Sequence, residues 1–228
     1  MFIAQTLKEL GARKICLVSP YLPYMRQDKR FKSGETITSL LFAKYLSGWI
    51  DYLITIDPHL HRIQQLSEIY SIAFIATLHS TKKIAEWISN NVDSPFIVGP
   101  DEESQQWVSE VAAAINAPYT IIKKERYGDR KVNITVPEIS DINRTIVLVD
   151  DIISTGGSML AAIKEFIARG YKNPVCIGVH ALFDNATFDN LILAGAKEVI
   201  TCNTILHPSN KIDITDIIVE EVRRLKLR

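Results

Sequence analysis

The sequence predicts an α/β architecture of mostly parallel sheets flanked by helices, and three observations point there. Short apolar, β-branched runs alternate with stretches of helical period through most of the 228 residues. Several runs are continuously apolar, as in Thr145-Ile-Val-Leu-Val149, the pattern of a strand buried on both faces. Thirty-two isoleucines within a 47% hydrophobic fraction supply a core and exclude a disordered chain.

Along the chain, strands are expected at 14–18, 52–56, 72–75, 96–98, 120–122, 132–136, 145–149, 175–179 and 198–201. Each is a short β-rich run. Helical period places helices at 36–46, 81–90, 102–115, 158–168 and 185–193. Ser80 or Thr81 offers a start signal for the second of these, and Gly170 stops the run that begins near Ser158. Residues 123–131, Lys-Lys-Glu-Arg-Tyr-Gly-Asp-Arg-Lys, form a charged break between two strands. That break reads either as a solvated hairpin or as a basic flap over an anionic ligand.

Charge and composition narrow the classes. Twenty-six basic residues balance twenty-six acidic ones, so no global field draws the chain to nucleic acid. No apolar run reaches membrane length, and the N-terminus turns charged without a signal-peptide core. Cys16, Cys176 and Cys202 sit inside apolar, strand-like runs without metal-ligand spacing, which fits reduced, buried thiols. A cytoplasmic globular protein with no nucleic-acid or membrane partner is expected.

In an open α/β sheet, ligands bind beyond the carboxyl ends of the strands. The strongest such segment is Val147-Leu-Val-Asp150-Asp151-Ile-Ile-Ser154-Thr155-Gly156-Gly157-Ser158. Hydroxyls and backbone N–H groups at a helix start can hold a phosphate, and the helix dipole favours the anion. Glycine permits the close approach. Asp150 and Asp151 can accept hydrogen bonds from sugar hydroxyls or support a metal ion from an outer shell. Tyr24-Met-Arg26-Gln27-Asp28-Lys29-Arg30 follows another strand and offers rings for a base and cations for a polyphosphate.

The phosphate segment resembles the loop shared by type I phosphoribosyltransferases and the ribose-phosphate diphosphokinases, or PRPP synthetases. Other segments are similar to the synthetases alone. These are Tyr24–Arg30, Asp57-Pro-His59 with Ile63-Gln64, Val98-Gly-Pro-Asp101, and Lys123-Lys124-Glu-Arg126. Ser154, where other members carry Asp, is similar to the archaeal-like subgroup.

The resemblance implies two phosphoribosyltransferase-like lobes, 1–76 with the C-terminal helix 211–228, and 77–210. It implies transfer of the pyrophosphoryl group of ATP to ribose 5-phosphate with Mg²⁺, in a homo-oligomer. Arg26, Gln27, Asp28 and Lys29 would bind ATP, and Asp150, Asp151, Ser154, Thr155, Gly156, Gly157 and Ser158 would bind ribose 5-phosphate. His59 and Asp101 would contact the metal with Asp57 in support, while Lys124 and Arg126 would be catalytic. His180 is similar to a family histidine near the ribose site, without an implied chemical role. The family's N-terminal domain opens with a strand and a Phe-x-Asp-Gly-Glu segment. Here Met1 leads directly into residues 2–10, which match a helix midway through that domain, so a shortened first lobe is expected. Two alternatives stay open at this point. One is a non-catalytic regulatory homologue; the other is a type I phosphoribosyltransferase, which leaves the Arg26-Gln27 and Asp57-Pro-His59 segments without a use.

Overall fold

The computed structural model describes residues 1–127, 131–135, 139 and 141–226, by backbone alone at 124–127, 131–135 and 226. Residues 128–130 of the charged break and Val136 of the expected strand lie outside the described residues. In chain order the elements are α1 (Phe2–Glu9), β1 (Cys16–Val18), α2 (Thr38–Ser47), β2 (Tyr52–Ile56), β3 (Phe74–Leu78), α3 (Thr81–Asn91) and β4 (Pro95–Gly99). There follow α4 (Gln105–Ala114), β5 (Tyr119–Ile121), β6 (Lys123–Tyr127), β7 (Lys131–Thr135), β8 (Thr145–Ile153) and α5 (Gly157–Ala168). The chain ends with β9 (Val175–Ala181), α6 (Asn185–Leu193), β10 (Glu198–Cys202), β11 (Asn210–Ile212) and α7 (Thr215–Lys226). No helix among the described residues is long and apolar enough to cross a membrane.

Two compact units result, Met1–His79 with Thr215–Arg228, and Ser80–Ile214. In the first, a parallel sheet of order β1-β2-β3 carries the core. Leu53 in β2, Ala43 in α2, and Leu22, Met25, Ile63 and Leu66 in the connections are buried together there. Tyr-Leu-Ile-Thr-Ile makes β2 a central strand because nearly every side chain has an apolar surface to meet.

The second unit holds a six-stranded sheet of order β11-β10-β9-β8-β4-β5, every pair parallel. From β4 the chain moves outward to β5, and after β8 it moves the other way to β9 and β10. The strand order therefore reverses between β4 and β8, the position where an open sheet leaves a crevice. Phe166 and Ile163 of α5 and Leu191 of α6 are fully buried in one core with Leu148 and Cys176. The Tyr171 ring meets Phe166 edge-on at 5.6 Å, and its hydroxyl donates to the Ile139 carbonyl at 2.8 Å.

Besides shifts of a few residues at element ends, such as β3 at Phe74–Leu78 rather than 72–75, three differences from the sequence expectation stand out. β8 runs on through Asp150 to Ile153, so both acids lie inside the strand rather than after it. The cause is β9, which pairs with β8 as far as Ile153↔Ala181, while β4 pairs only as far as Leu148. The charged break contains a strand, β6, paired antiparallel with β7. Its polar sequence hid it, since this ribbon is defined by backbone pairing rather than by an apolar face. β11, three residues at the sheet edge, was also not expected.

Candidate functional site

In the second unit the carboxyl ends of β4 and β8 flank the reversal point. Asp101 follows β4 through Gly99 and Pro100, and the Ser104 hydroxyl donates to the Asp101 carbonyl at 2.6 Å, which shapes the turn. Asp150 and Asp151 occupy the part of β8 that outruns β4. The Asp151 amide donates to Asp150 Oδ1 at 3.1 Å. Burial pushes the Asp150 carboxyl well above its ordinary range, and the charges of Asp151 and Asp101 push it further. Three carboxylates concentrated there favour sugar hydroxyls or a cation over a bare anion.

The phosphate segment follows directly. Gly156 caps α5 in the left-handed region at φ 70, and a Cβ there would stand 2.7 Å from Thr187 Cγ2 of α6. Glycine is required at that position. A Cβ on Gly157 would meet only Thr155 Oγ1 at 3.7 Å, so the space before the first turn of α5 is open. Ser154, Thr155, Gly157 and Ser158 surround a helix N-terminus that suits a phosphate dianion.

Lys124 and Arg126 occupy alternate positions of β6, with backbone partners Ile134 and Val132. Their side chains lie outside the described residues. His180 is buried; its Nδ1 is 2.9 Å from the Thr204 hydroxyl, which itself donates to the Val179 carbonyl at 2.8 Å. That arrangement gives it a packing role.

In the first unit the three parallel strands send their carboxyl ends to one edge. After β1, Tyr24 adopts φ 67 and its ring packs at a 56° tilt against Phe42, centroids 4.9 Å apart, while Arg26, Gln27 and Lys29 are exposed. Gln27 fixes the segment to the start of α2: its Oε1 accepts from Thr38 Oγ1 at 2.7 Å and its carbonyl from Ser39 Oγ at 3.0 Å. Lys29 Nζ lies 5.1 Å from the centre of the Phe31 ring. Asp28 behaves differently. Its side chain is 4% exposed and bonded to Arg62 Nη1 at 3.0 and 3.2 Å, with the Arg62 amide at 3.3 Å.

After β2, Asp57 is buried and His59 half-buried, with the His59 and His61 rings 6.5 Å apart. Asp57 Oδ1 lies 2.8 Å from His79 Nδ1. Sequence reasoning missed both Arg62 and His79. The signal for His79 was its place just beyond β3, four residues past where that strand was expected to stop.

Among the described residues no group of three or more His, Cys, Asp or Glu side chains is arranged to hold a metal ion by itself. The donors present, imidazole and carboxylate at strand ends, fit a cation whose shell is completed by phosphate oxygens and water. The structure thus gathers Asp101, Asp150, Asp151 and residues 154–158 in one unit, and Arg26–Lys29, Asp57 and His59 in the other.

Two family models match the chain. The N-terminal domain of ribose phosphate pyrophosphokinase covers residues 1–49, and the phosphoribosyl transferase domain covers residues 74–216. The ribose-phosphate pyrophosphokinase of Sulfurisphaera tokodaii is 35% identical over 95% of this chain and 74% of that protein. That of Saccharolobus solfataricus is 35% identical over 89% of this chain and 69% of its own length, and that of Methanopyrus kandleri 29% identical over 96% and 74%. A crystal structure of phosphoribosylpyrophosphate synthetase from Mycobacterium smegmatis has the same fold. It superposes with a TM-score of 0.83 over 98% of this chain and 75% of that one, at 23% identity.

Proposed function

The chain belongs to the ribose-phosphate pyrophosphokinase family, and from that premise we propose that it transfers the pyrophosphoryl group of ATP to the 1-hydroxyl of ribose 5-phosphate. The products are PRPP and AMP. The observation that carries this reading is the reversal point between β4 and β8, where Asp101, Asp150 and Asp151 adjoin the Gly156-capped phosphate turn.

Each group has a task. The turn 154–158 receives the 5-phosphate, and Asp150 and Asp151 accept hydrogen bonds from the ribose hydroxyls. Arg26, Gln27 and Lys29 hold ATP, and Asp28 shapes their segment through Arg62. The ribose 1-oxygen bonds to the β-phosphorus of ATP as the bond from that phosphorus to the α–β bridging oxygen breaks. That oxygen leaves with AMP, and the hydroxyl proton is released. Lys124 and Arg126 offset the charge that gathers on the transferring oxygens. His59 and Asp101, with Asp57 in support, are assigned to Mg²⁺, which when bound offsets phosphate charge as a Lewis acid.

The unit containing β1–β3 is accordingly assigned to ATP, and the unit containing β4–β11 to ribose 5-phosphate. A homo-oligomer is supported by the exposed apolar residues Phe2, Ile3 and Leu10 around α1 and Leu41 and Tyr45 on α2. Incubation with ATP, Mg²⁺ and ribose 5-phosphate tests the function. AMP and PRPP should form in equal amounts and only when all three are present. Failure to form either product contradicts the proposal and favours a regulatory homologue.

A further inference from the structure

We infer that Thr187 is a positioning residue for the phosphate turn: its methyl group backs Gly156 and holds the turn in the shape that receives the 5-phosphate. The inference rests on the assignment of ribose 5-phosphate to this unit.

Strand pairing brings the two segments together. β8 and β9 run parallel through Ile153↔Ala181, and the Leu182 amide donates to the Ile153 carbonyl at 2.9 Å. The turns that lead into α5 and α6 therefore leave adjacent strands side by side. At the start of α6, Asp184 Oδ1 accepts from the Thr187 amide at 2.8 Å, and the Thr187 hydroxyl bonds the same carboxylate. Those two bonds hold the Asp184 carboxyl below its ordinary range. Beside them the Phe183 ring is buried against the His207 ring, centroids 4.4 Å apart, and His207 Nδ1 accepts from the Ser209 amide at 3.1 Å. The first turn of α6 is thus anchored by groups outside the phosphate turn.

The phosphate turn has less of its own to hold it. Gly156 and Gly157 are adjacent, and glycine loses more conformational freedom on ordering than any other residue. Tertiary contact must supply the rigidity. At Gly156 that contact is Thr187, whose Cγ2 lies 2.7 Å from the place where a Cβ would stand, with the Leu191 methyls at 3.7 and 3.8 Å. Thr187 and Leu191 are one turn apart on α6 and so share the face that meets the phosphate turn. Gly156 there keeps φ 70, and its carbonyl accepts from the Leu160 amide at 2.8 Å, the bond that opens α5. One glycine is therefore walled by α6, while Gly157 borders the open space assigned to phosphate. A threonine in a helix has more than one χ1 well, and the bond from its hydroxyl to Asp184 selects the one that turns the methyl toward Gly156. A turn held in its bound shape receives the anion without a further ordering cost.

Calorimetric titration of the full chain with ribose 5-phosphate, and separately with inorganic phosphate, tests the inference. Thr187→Ser keeps the hydroxyl and removes the methyl. It should melt within a few degrees of the parent yet weaken both ligands by about tenfold, with the affinity for Mg²⁺·ATP unchanged. In turnover the loss should fall on KM for ribose 5-phosphate rather than on kcat. Thr187→Val keeps a methyl for Gly156 without the hydroxyl, and should bind ribose 5-phosphate within about a factor of two of the parent. Parent affinity in Thr187→Ser, or a loss in Thr187→Val as deep as in Thr187→Ser, overturns the inference. A parent that makes PRPP while Thr187→Ser keeps its sugar-phosphate affinity overturns this inference alone. A parent that makes no PRPP but binds ribose 5-phosphate, more weakly in Thr187→Ser and not in Thr187→Val, supports the positioning role and contradicts the proposed reaction.

Discussion

Arg62 reaches 34 residues back along the chain to hold Asp28 through one guanidinium nitrogen, 3.0 Å from one carboxylate oxygen and 3.2 Å from the other. Its backbone amide reaches the same carboxylate at 3.3 Å. The segment after β1, assigned to ATP, is thereby fixed to the segment after β2, assigned to the metal.

Arg62→Ala should therefore act on both stability and substrate. Removing one partner of a wholly buried pair costs about 3–5 kcal/mol, but Arg62 is 44% exposed, so about 1–2 kcal/mol is expected. A misplaced Arg26–Lys29 segment should raise KM for ATP by about tenfold, or about 1.4 kcal/mol, with kcat little changed. Denaturant melts and steady-state kinetics check the two parts. Unchanged KM would show that the pair has no bearing on ATP.

The two glycines of the phosphate turn should separate stability from binding. Gly156→Ala meets the left-handed penalty and Thr187 Cγ2 at 2.7 Å, and should destabilise by about 2–3 kcal/mol. Gly157→Val should leave the melting temperature near the parent's, since only Thr155 Oγ1 lies within reach. Its branched side chain would fill the open space, however, and should lower ribose 5-phosphate affinity in calorimetry. The reverse pattern would place the phosphate elsewhere.

The sign of the pH dependence follows from Asp150. Its pKa in the folded protein is raised by burial and by Asp151 and Asp101, so over the window above the ordinary carboxylate range the native state binds more protons than the unfolded state. Stability is present in full at the acid end and falls as pH rises through that window. Asp150→Asn should remove the penalty: its gain in melting temperature should grow from about pH 4 upward and then level off. Each kcal/mol should appear as about 2–4 °C. The same variant should bind ribose 5-phosphate more weakly. A gain independent of pH would show that Asp150 titrates normally.

Much of this was legible in the sequence because apolar period reports burial. The expected bounds of β2 and α6 match the structure, and the core start of β8 does too. The end of β8 was not legible, since Asp150-Asp151 interrupts the apolar run while backbone pairing to β9 continues. β6 escaped because Lys-Lys-Glu-Arg-Tyr has no apolar alternation. Candidate residues that form local motifs, such as 154–158, could be read directly. Arg62 and His79 could not, because their partners lie 34 and 22 residues away; the register of β2 and β3 brings Asp57 beside His79, and the packing of two connections brings Arg62 to Asp28.

Lys124 and Arg126 test the catalytic role of the β6–β7 ribbon. Cations that meet the transferring group mainly in the transition state act on kcat. Lys124→Ala and Arg126→Ala should each lower kcat by about 100–1000-fold, roughly 3–4 kcal/mol, with KM and melting temperature near the parent's. Turnover within about a factor of two would mark both as solvated surface charges worth under about 1 kcal/mol.

The most direct test of the proposed reaction follows phosphorus atoms. ATP labelled at both the β and γ positions is incubated with Mg²⁺, ribose 5-phosphate and the protein, and the products are separated. Pyrophosphoryl transfer predicts both labels together in PRPP and unlabelled AMP in equal amount. Label at γ alone on the sugar, with ADP as co-product, or label released as inorganic phosphate, would contradict it.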